Sequence, residues 1–224
     1  KSNRIKDSIK ANLQLKEKQS FIENKLNEDI NILKKIYASM GYNFATITSK
    51  VEKFSENRVN LLYEINRGEK TYIKEISFIG DKKIKDSRLR DVIASEEKKF
   101  WKFLTNNTYF NQSNIELDKR LLINYYKSLG YYDIQVLSNS AEINNNYSNL
   151  IYTINAGTRY RINKISTNVS SVIDKKIFES LGQEYIQYVG SYYSPFKIKK
   201  LLDEVDKLIV NSDLQFIEHS VNEI

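Results

Sequence analysis

The stretch that decides the fold is Thr71–Gly157, in which residues 72–79 read YIKEISFI and residues 149–154 read NLIYTI. Both runs alternate apolar and polar side chains, which is typical of β-strands with one buried face. The pair Gly80-Asp81 follows the first run and Asn155–Gly157 follows the second, so both strands are predicted to stop there. Two helical patterns and a further strand pattern lie between them, and the stretch predicts one complete module.

The order of elements in this module is β-α-α-β-β. A short helix is expected to begin at Asp86 or Ser87, and a long helix is expected over about Gln112–Leu129, ended by Gly130. A sheet of three strands has one face for two helices to cover, so the predicted class is α+β. The second and third strands are predicted over Asp133–Ile143 and Tyr147–Ile154.

The same order can be read, incompletely, before the central module. A short helix is expected from Asp7 or Ser8, and a long helix over about Phe21–Met40. A hairpin of strands Phe44–Lys53 and Val59–Ile65 follows. Most of a first strand is lacking, so residues 1–69 are predicted to form a module without it.

Residues 70–157 hold the complete module, and a third copy occupies residues 158–224. Its predicted elements are a strand over Tyr160–Thr167, a short helix over Asp174–Leu181, a long helix from Ser194-Pro195 and a strand over Leu214–Val221. Its third strand is expected to be absent because the sequence stops at Ile224. The chain is predicted to be a row of tandem modules.

The repeat is also visible in short matching segments. Residues 37–42, YASMGY, match residues 126–131, YKSLGY, at a spacing of 89 residues, and Gly68 matches Gly157 at the same spacing. Near the start, residues 4–8 match residues 83–87 at a spacing of 79. Self-similarity at a fixed period indicates repeated structural units, and the central unit is expected to hold the extra residues in an aromatic insert.

Composition excludes several classes. The 224 residues include no cysteine, which excludes disulfides and thiolate zinc sites, and the formal net charge is +7. Lysine is mixed with Asp and Glu, which favours a solvated basic surface over a patch for nucleic acid or anionic lipid. No apolar run is long enough for a membrane-spanning helix, and the chain does not begin with Met, so we interpret it as an internal fragment.

Three segments carry a resemblance to a known family. Residues 75–93 read EISFIGDKKIKDSRLRDVI, residues 125–131 read YYKSLGY and residues 57–68 read NRVNLLYEINRG. They resemble the periplasmic POTRA modules of the BamA family of outer-membrane barrel assembly factors. The resemblance covers nearly the whole chain and implies three-stranded sheets, each covered on one face by two helices.

The family implies a location and partners. POTRA modules form an arm at the periplasmic face of the bacterial outer membrane, in front of a C-terminal membrane β-barrel that is not in this chain. They receive unfolded outer-membrane proteins and dock accessory lipoproteins. The resemblance therefore implies a chaperone-like scaffold without a nucleic-acid partner.

The resemblance also suggests where a client binds. In the family the second strand lies at a sheet edge, where unpaired backbone groups can pair with any extended peptide. The alternative is an edge that is simply solvated. The predicted contact row is Ile134, Gln135, Val136, Leu137, Ser138 and Asn139.

The aromatic insert is a second candidate surface for a partner, through Phe100, Trp101 and Phe103. The alternative, which the sequence favours, is that these rings fold onto their own module and extend its core.

No residue pattern indicates catalysis, and we expect neither a cofactor nor a metal site. The single histidine, His219, has Glu218 on the opposite face of its predicted strand, so the two do not form an acid–base pair. Two other functions remain open. One is a POTRA arm of a TamA-like or two-partner secretion machine, and the other is a basic nucleic-acid-binding protein with salt-sensitive affinity.

Overall fold

The structure is a computed structural model that describes residue 7 and residues 9–56, 58–101, 107–140, 146–171, 173–212, 214 and 217–223. In chain order its main elements are α1 (Glu23–Ser39), β1 (Thr46–Ser55), β2 (Arg58–Asn66), β3 (Tyr72–Asp81), α2 (Asp86–Val92), α3 (Gln112–Ser128), β4 (Gln135–Ser140), β5 (Tyr147–Asn155), a 3₁₀ turn (Lys175–Phe178), α4 (Leu181–Tyr188) and α5 (Pro195–Asn211).

The strands form two sheets. β1 and β2 make an antiparallel hairpin in which Ile47 faces Ile65 and Ser49 faces Tyr63, with an irregularity near its turn. The other sheet has three strands in the order β3-β5-β4, so the last strand of the module lies in the middle. The predicted α+β class and three-stranded sheet are confirmed.

The chain divides into two compact units. The first comprises Lys1–Ile79, Ile84–Leu121 and Leu137–Thr153, and the second comprises Gly80–Lys83, Leu122–Val136 and Ile154–Ile224. The predicted boundaries of the three sequence modules stay a prediction.

The first unit is held by matched helix and strand faces. Leu33 of α1 packs with Leu13 and Ile47 of β1, and partly buried apolar side chains surround them. The same unit buries Phe78 of β3 against Tyr152 of β5, with stacked rings whose centroids are 5.7 Å apart. The apolar face of α1, which repeats every 3.6 residues, thus packs on the inward face of β1, which repeats every two residues.

The second unit has a helical core at its C-terminal end. Phe178 of the 3₁₀ turn, Leu181 of α4 and Ile209 of α5 are buried together. Pro195 stands at the start of α5, as predicted, because proline lacks the N–H that a first turn leaves unbonded.

The third module departs from its predicted strands. Residues 160–167 and 217–221 form no strand in the described part of the chain, and Arg161 makes only an isolated bridge with Tyr192. The reason lies in the sheet order, because both predicted strands would flank a middle strand. The described residues of this module contain no such strand, so neither edge has a partner.

Two smaller predictions were also wrong. β3 does not stop at Gly80 but runs to Asp81, because Gly80 (φ +88°) allows close approach of the Ile154 carbonyl, which an added Cβ would clash with. The predicted helix over Asp174–Leu181 is instead a 3₁₀ turn, capped by the Asp174 carboxylate, and the separate helix α4 begins at Leu181.

A backbone joint links the end of α1 to the start of β3 within the first unit. The Thr71 N–H donates to the Gly41 carbonyl (2.9 Å), and the Phe110 N–H donates to the Thr71 carbonyl (2.9 Å). The Ile73 N–H donates to the Thr108 carbonyl (2.9 Å). We call these five residues the first joint.

The second unit contains an equivalent set, the second joint. The Tyr160 N–H donates to the Gly130 carbonyl (2.8 Å), and the Tyr193 N–H donates to the Tyr160 carbonyl (3.0 Å). The Ile162 N–H donates to the Ser191 carbonyl (2.9 Å). The same three bonds therefore follow both long helices that end in glycine.

Glycine is required in both joints. Gly41 and Gly130 have φ angles of +92° and +101°, which L side chains rarely adopt. A Cβ at Gly41 would lie 3.0 Å from Cβ of Tyr109. The Tyr109 ring is itself covered by the Lys70 ammonium, 3.7 Å from the ring centroid, which limits how far it can move away.

The first joint is expected to open when Gly41 gains a side chain. We predict that Gly41→Ala raises the hydrogen-exchange rate of the Thr71 and Phe110 amides about tenfold or more, which corresponds to about 1.4 kcal/mol of lost local stability. The matched control is Gly68→Ala, because Gly68 also has a positive φ (+61°) but no heavy atom within 4 Å of an added Cβ. Equal exchange in both variants would show that the crowding at Gly41 has no effect.

Candidate functional site

The candidate peptide-binding edge is β4, which lies at one side of the three-stranded sheet and is bonded to β5. In the described part of the chain, no hydrogen bond joins β4 to any other element. An outer strand presents unpaired N–H and C=O groups along its free side. The structure thus places the predicted second strand at an edge, while its use by a client stays a prediction.

The side chains of the predicted row alternate. Ile134, just before β4, and Val136 are buried in the core, whereas Gln135 and Leu137 are exposed, with Leu137 63% exposed. The side chain of Asn139 lies outside the described residues. An added strand would therefore pair with the backbone of β4 and contact its exposed side chains, such as Gln135 and Leu137.

The opposite edge of the same sheet is occupied at Ile73 and Ile76 of β3. The Lys98 N–H donates to the Ile73 carbonyl (2.8 Å), so both backbone groups of Ile73 are used, one of them in the first joint. Further along β3, the Ile76 N–H donates to Glu97 Oε1 (3.0 Å), and Arg90 donates to the Ile76 carbonyl (2.5 Å). Side chains and loop backbone thus occupy these positions, where another strand would otherwise pair.

Glu97 and Arg90 hold this closure together. Their side chains form a charged hydrogen bond with each other as well as with Ile76. Burial tends to raise the pKa of Glu97, but the hydrogen bond from the Ile76 N–H and the charge of Arg90 outweigh burial and lower the pKa. The lowered pKa therefore favours the ionised carboxylate, which is the form that accepts hydrogen bonds from Arg90 and the Ile76 N–H.

A buried carboxylate ties the helices to the sheet behind the edge. Asp118 of α3 accepts hydrogen bonds from the N–H groups of Ala94 (2.6 Å) and Ser95 (3.1 Å) and from the Tyr152 hydroxyl (2.5 Å). Burial, together with this carboxylate, raises the pKa of the Tyr152 hydroxyl above its usual range. Three partners thus satisfy a charge that would otherwise be costly to bury.

The first module repeats this arrangement. Asp29 of α1 is buried and accepts from the N–H groups of Gln14 (2.6 Å) and Leu15 (3.0 Å) and from the Tyr63 hydroxyl (3.1 Å). Sequence reasoning missed both carboxylates. The signal was present, because Asp29 and Asp118, like Tyr63 and Tyr152, are 89 residues apart.

The hairpin offers a second edge. β1 pairs with β2 on one side, and no other strand adjoins β1 among the described residues. Ile47 is buried towards α1, but Val51 and Phe54 further along β1 are exposed. The predicted second strand of the first module is therefore also an outer strand, although it runs over Thr46–Ser55 instead of Phe44–Lys53.

The aromatic insert does not extend the core. Phe100 is 88% exposed and Trp101 is 58% exposed, and their rings contact each other edge to face. The favoured interpretation of packing onto their own module was therefore wrong for these two residues, and Phe103 lies outside the described residues. The Lys98 N–H bonds the preceding segment to Ile73 of β3, and the Glu96 N–H bonds it to Asn107, while the two rings stay exposed.

The tyrosines mainly contact one another and nearby cations. Tyr72 lies against Tyr109 and Tyr147, with centroids 5.2 and 5.8 Å away, and the Lys98 ammonium lies 4.6 Å from its ring centroid. Tyr126 is fully buried and donates to the Lys82 carbonyl. These rings contribute to packing within the fold.

Two further observations limit the chemistry of the described residues. No group of three or more His, Asp or Glu side chains in the described ranges is arranged to hold a metal ion. None of the helices that the structure describes combines the length and the apolar character needed to cross a membrane.

Comparison with known families decides the identity. The family model POTRA, described as a surface antigen variable number repeat, matches residues 3–68 and residues 71–157. The chain belongs to the POTRA family. The two POTRA matches meet close to the first joint and together cover more than half of the sequence.

Similar proteins point to the same family. The chain is 27% identical over 221 residues to the outer membrane protein assembly factor BamA of Neisseria meningitidis serogroup B, covering 96% of this chain and 27% of that protein. It is 25% identical over 146 residues to BamA of Neorickettsia risticii, covering 65% of this chain and 20% of that protein. The POTRA chain thus spans about a quarter of the length of these relatives.

A solved structure has the same fold. The crystal structure of POTRA3-5 of Haemophilus influenzae BamA superposes with a TM-score of 0.51 at 17% identity, covering 96% of this chain and 82% of that one. At this identity the likeness shows the fold alone, and it supports tandem POTRA repeats.

Removing the charge of Asp118 tests the buried carboxylate. We predict that Asp118→Asn lowers the free energy of unfolding of the POTRA chain by about 2 kcal/mol. The three groups that donate to the Asp118 carboxylate would face a buried amide, whose NH₂ group cannot accept a hydrogen bond. The control Asp91→Asn, at a side chain 70% exposed, should change it by less than about 0.5 kcal/mol. Urea unfolding followed by circular dichroism measures both, and similar losses would contradict the role given to Asp118.

The pH dependence of Glu97 tests the closed β3 edge. A carboxyl whose pKa is lowered on folding stabilises the protein above its unfolded pKa of about 4.3, and this contribution is lost as pH falls through the folded pKa. Glu97→Gln is therefore expected to be more destabilising at pH 7 than at pH 3. The measurement is urea unfolding at both values, and a loss that does not depend on pH would argue against an ionic closure.

Proposed function

We propose that this chain is part of the periplasmic arm of an outer-membrane β-barrel assembly factor and that it holds unfolded outer-membrane proteins by strand addition to β4. The observation that carries the proposal is the asymmetry of the three-stranded sheet. β3 has its outer backbone groups at Ile73 and Ile76 occupied, whereas β4 is bonded to β5 and to no other element in the described residues.

An open backbone edge suits such a client. Barrel proteins have many sequences, but their strands share an extended backbone with alternating side chains. Main-chain hydrogen bonds provide affinity that does not depend on side-chain identity, and alternate side chains add selectivity. At β4 the exposed Leu137 is available to one apolar side chain of the client.

The same proposal covers location and partners. The arm would lie at the periplasmic face of the outer membrane, with a membrane β-barrel elsewhere in the full protein and accessory lipoproteins as partners. The similarity to BamA proteins and the POTRA matches support this placement. We propose a scaffold without catalytic activity, and the buried carboxylates Asp29 and Asp118 support this, because both are engaged in bonds that join helix, loop and sheet.

A cross-linking experiment tests the edge. A photoreactive benzophenone side chain at position 137 on β4 should capture a peptide of about ten alternating apolar and polar residues, the pattern of barrel strands. The same group at position 79 on β3, where Ile79 is 49% exposed, should capture little. Comparable capture at both positions would contradict selective binding to β4.

Two substitutions separate backbone pairing from side-chain contact. Residues 137 and 138 are adjacent, so the N–H of one points to the free side of β4 and the N–H of the other points to β5. Of the variants Leu137→Pro and Ser138→Pro, the one that removes the outward N–H should lose peptide binding about tenfold or more. Leu137→Ser keeps the backbone and should weaken binding only a few-fold. A larger loss for serine than for either proline would mean that the edge backbone is not the binding group.

A further inference from the structure

Three cations lie beside Tyr192, which stands between two residues of the second joint. The guanidinium carbon of Arg159 lies 3.4 Å from the ring centroid of Tyr192, and that of Arg161 lies 4.1 Å from it. The Lys197 ammonium donates to the Tyr192 carbonyl (2.8 Å) and to the Ser191 hydroxyl (2.9 Å). We call Arg159, Arg161 and Lys197 the cationic cluster.

Neutral backbone groups hold the two arginines in place. Nε of Arg159 donates to the Leu129 carbonyl (2.8 Å), and Arg161 donates to the Gly190 carbonyl (2.5 Å). Each of these bonds uses one of the five N–H donors of a guanidinium, and both arginines are exposed. Because the ring and the carbonyl already restrain each side chain, a ligand that binds there costs little further rotamer freedom.

The positive charge of the cationic cluster is not balanced. No carboxylate among the described residues forms a salt bridge with any of its three members. The joint's tyrosines engage two carboxylates, since Asp133 accepts from the Tyr160 hydroxyl (2.7 Å) and Glu223 accepts from the Tyr193 hydroxyl (2.7 Å). Two negative charges do not cancel three positive ones, so the region attracts an anion.

The first joint shows that a joint of this kind does not require Arg161. There one cation, Lys70, covers the equivalent tyrosine ring. The position equivalent to Arg161, 89 residues earlier, is Tyr72, and Glu69 beside Lys70 is matched by Thr158. The second joint thus has an additional guanidinium and lacks a carboxylate, although both joints make the same three backbone bonds.

We propose that the cationic cluster binds an acidic segment of a partner protein, one that carries two or more neighbouring Asp or Glu side chains. Guanidinium groups bind carboxylates through paired, parallel hydrogen bonds that are stronger than bonds between neutral groups. Arginine and tyrosine are both enriched among the residues that anchor protein interfaces. The cluster is not part of β4, so this site does not depend on strand addition.

Binding of fluorescein-labelled hexaglutamate, followed by fluorescence anisotropy, tests the ligand class. The chain is expected to bind this peptide saturably and hexaglutamine not at all, and raising the salt concentration should weaken binding. Absence of saturable binding overturns the proposal. Inorganic phosphate that displaces the peptide far better than acetate does at equal ionic strength also overturns it, because the cluster is then a phosphate site.

Three variants locate the site. Arg161→Gln should weaken hexaglutamate binding about tenfold, and Arg161→Lys, which keeps the charge but not the planar fork, only about threefold. The matched control is Arg67→Gln, since Arg67 is also exposed and also lies on a tyrosine ring, 5.4 Å from the centroid of Tyr42. This control removes the same charge and should leave binding unchanged. Equal losses in Arg161→Gln and Arg67→Gln, or wild-type binding by Arg161→Gln, overturn the assignment to the cationic cluster.

Discussion

The position of the last strand in the middle of the sheet is the constraint on which this architecture depends. In the central module β5 pairs with both β3 and β4, so the first and second strands meet only through it. In the first module β2 has the same rank in the chain and pairs with β1. In the predicted third module the described residues include neither a middle strand nor an outer strand. The same order leaves the second strand with one neighbour, which creates the candidate site.

Two kinds of backbone anchoring add to this constraint. Buried carboxylates at Asp29 and Asp118 join α1 and α3, respectively, to a loop and to a strand tyrosine. The two joints bond the carbonyls of Gly41 and Gly130 to the N–H groups of Thr71 and Tyr160, respectively. Because these bonds mostly use main-chain groups, they are compatible with many different side chains. The exceptions are Gly41 and Gly130, whose positive φ angles favour glycine.

Much of the fold could be predicted from the sequence because its periods are clear. α1 and α3 were predicted to within about two residues, and the hairpin and the central sheet follow from alternation. Strand pairing in the third module could not be predicted, because alternation at residues 160–167 indicates a suitable strand but not the presence of a partner. Gly80 was misread as a stop, since a glycine that ends a strand and one that allows a neighbouring carbonyl to approach look alike in sequence.

The candidate site was only partly predictable. The edge position of β4 came from the family resemblance, but the predicted row did not separate the buried Val136 from the exposed Leu137. The closure of β3 was not foreseen, because Arg90 and Glu97 are seven residues apart in a charged segment and look like ordinary surface residues. The matching of Asp118 with Tyr152 was recoverable from the repeat, but only by comparing polar positions as well as apolar ones.

The closed β3 edge also limits how copies of this sheet can associate. A sheet with two free sides can add neighbours indefinitely and grow into a fibre. Here two sheets that met through β4 would use up both free sides, and growth would end at a pair. Arg90 and Glu97 would thus keep this three-stranded sheet from polymerising while its other side stays open.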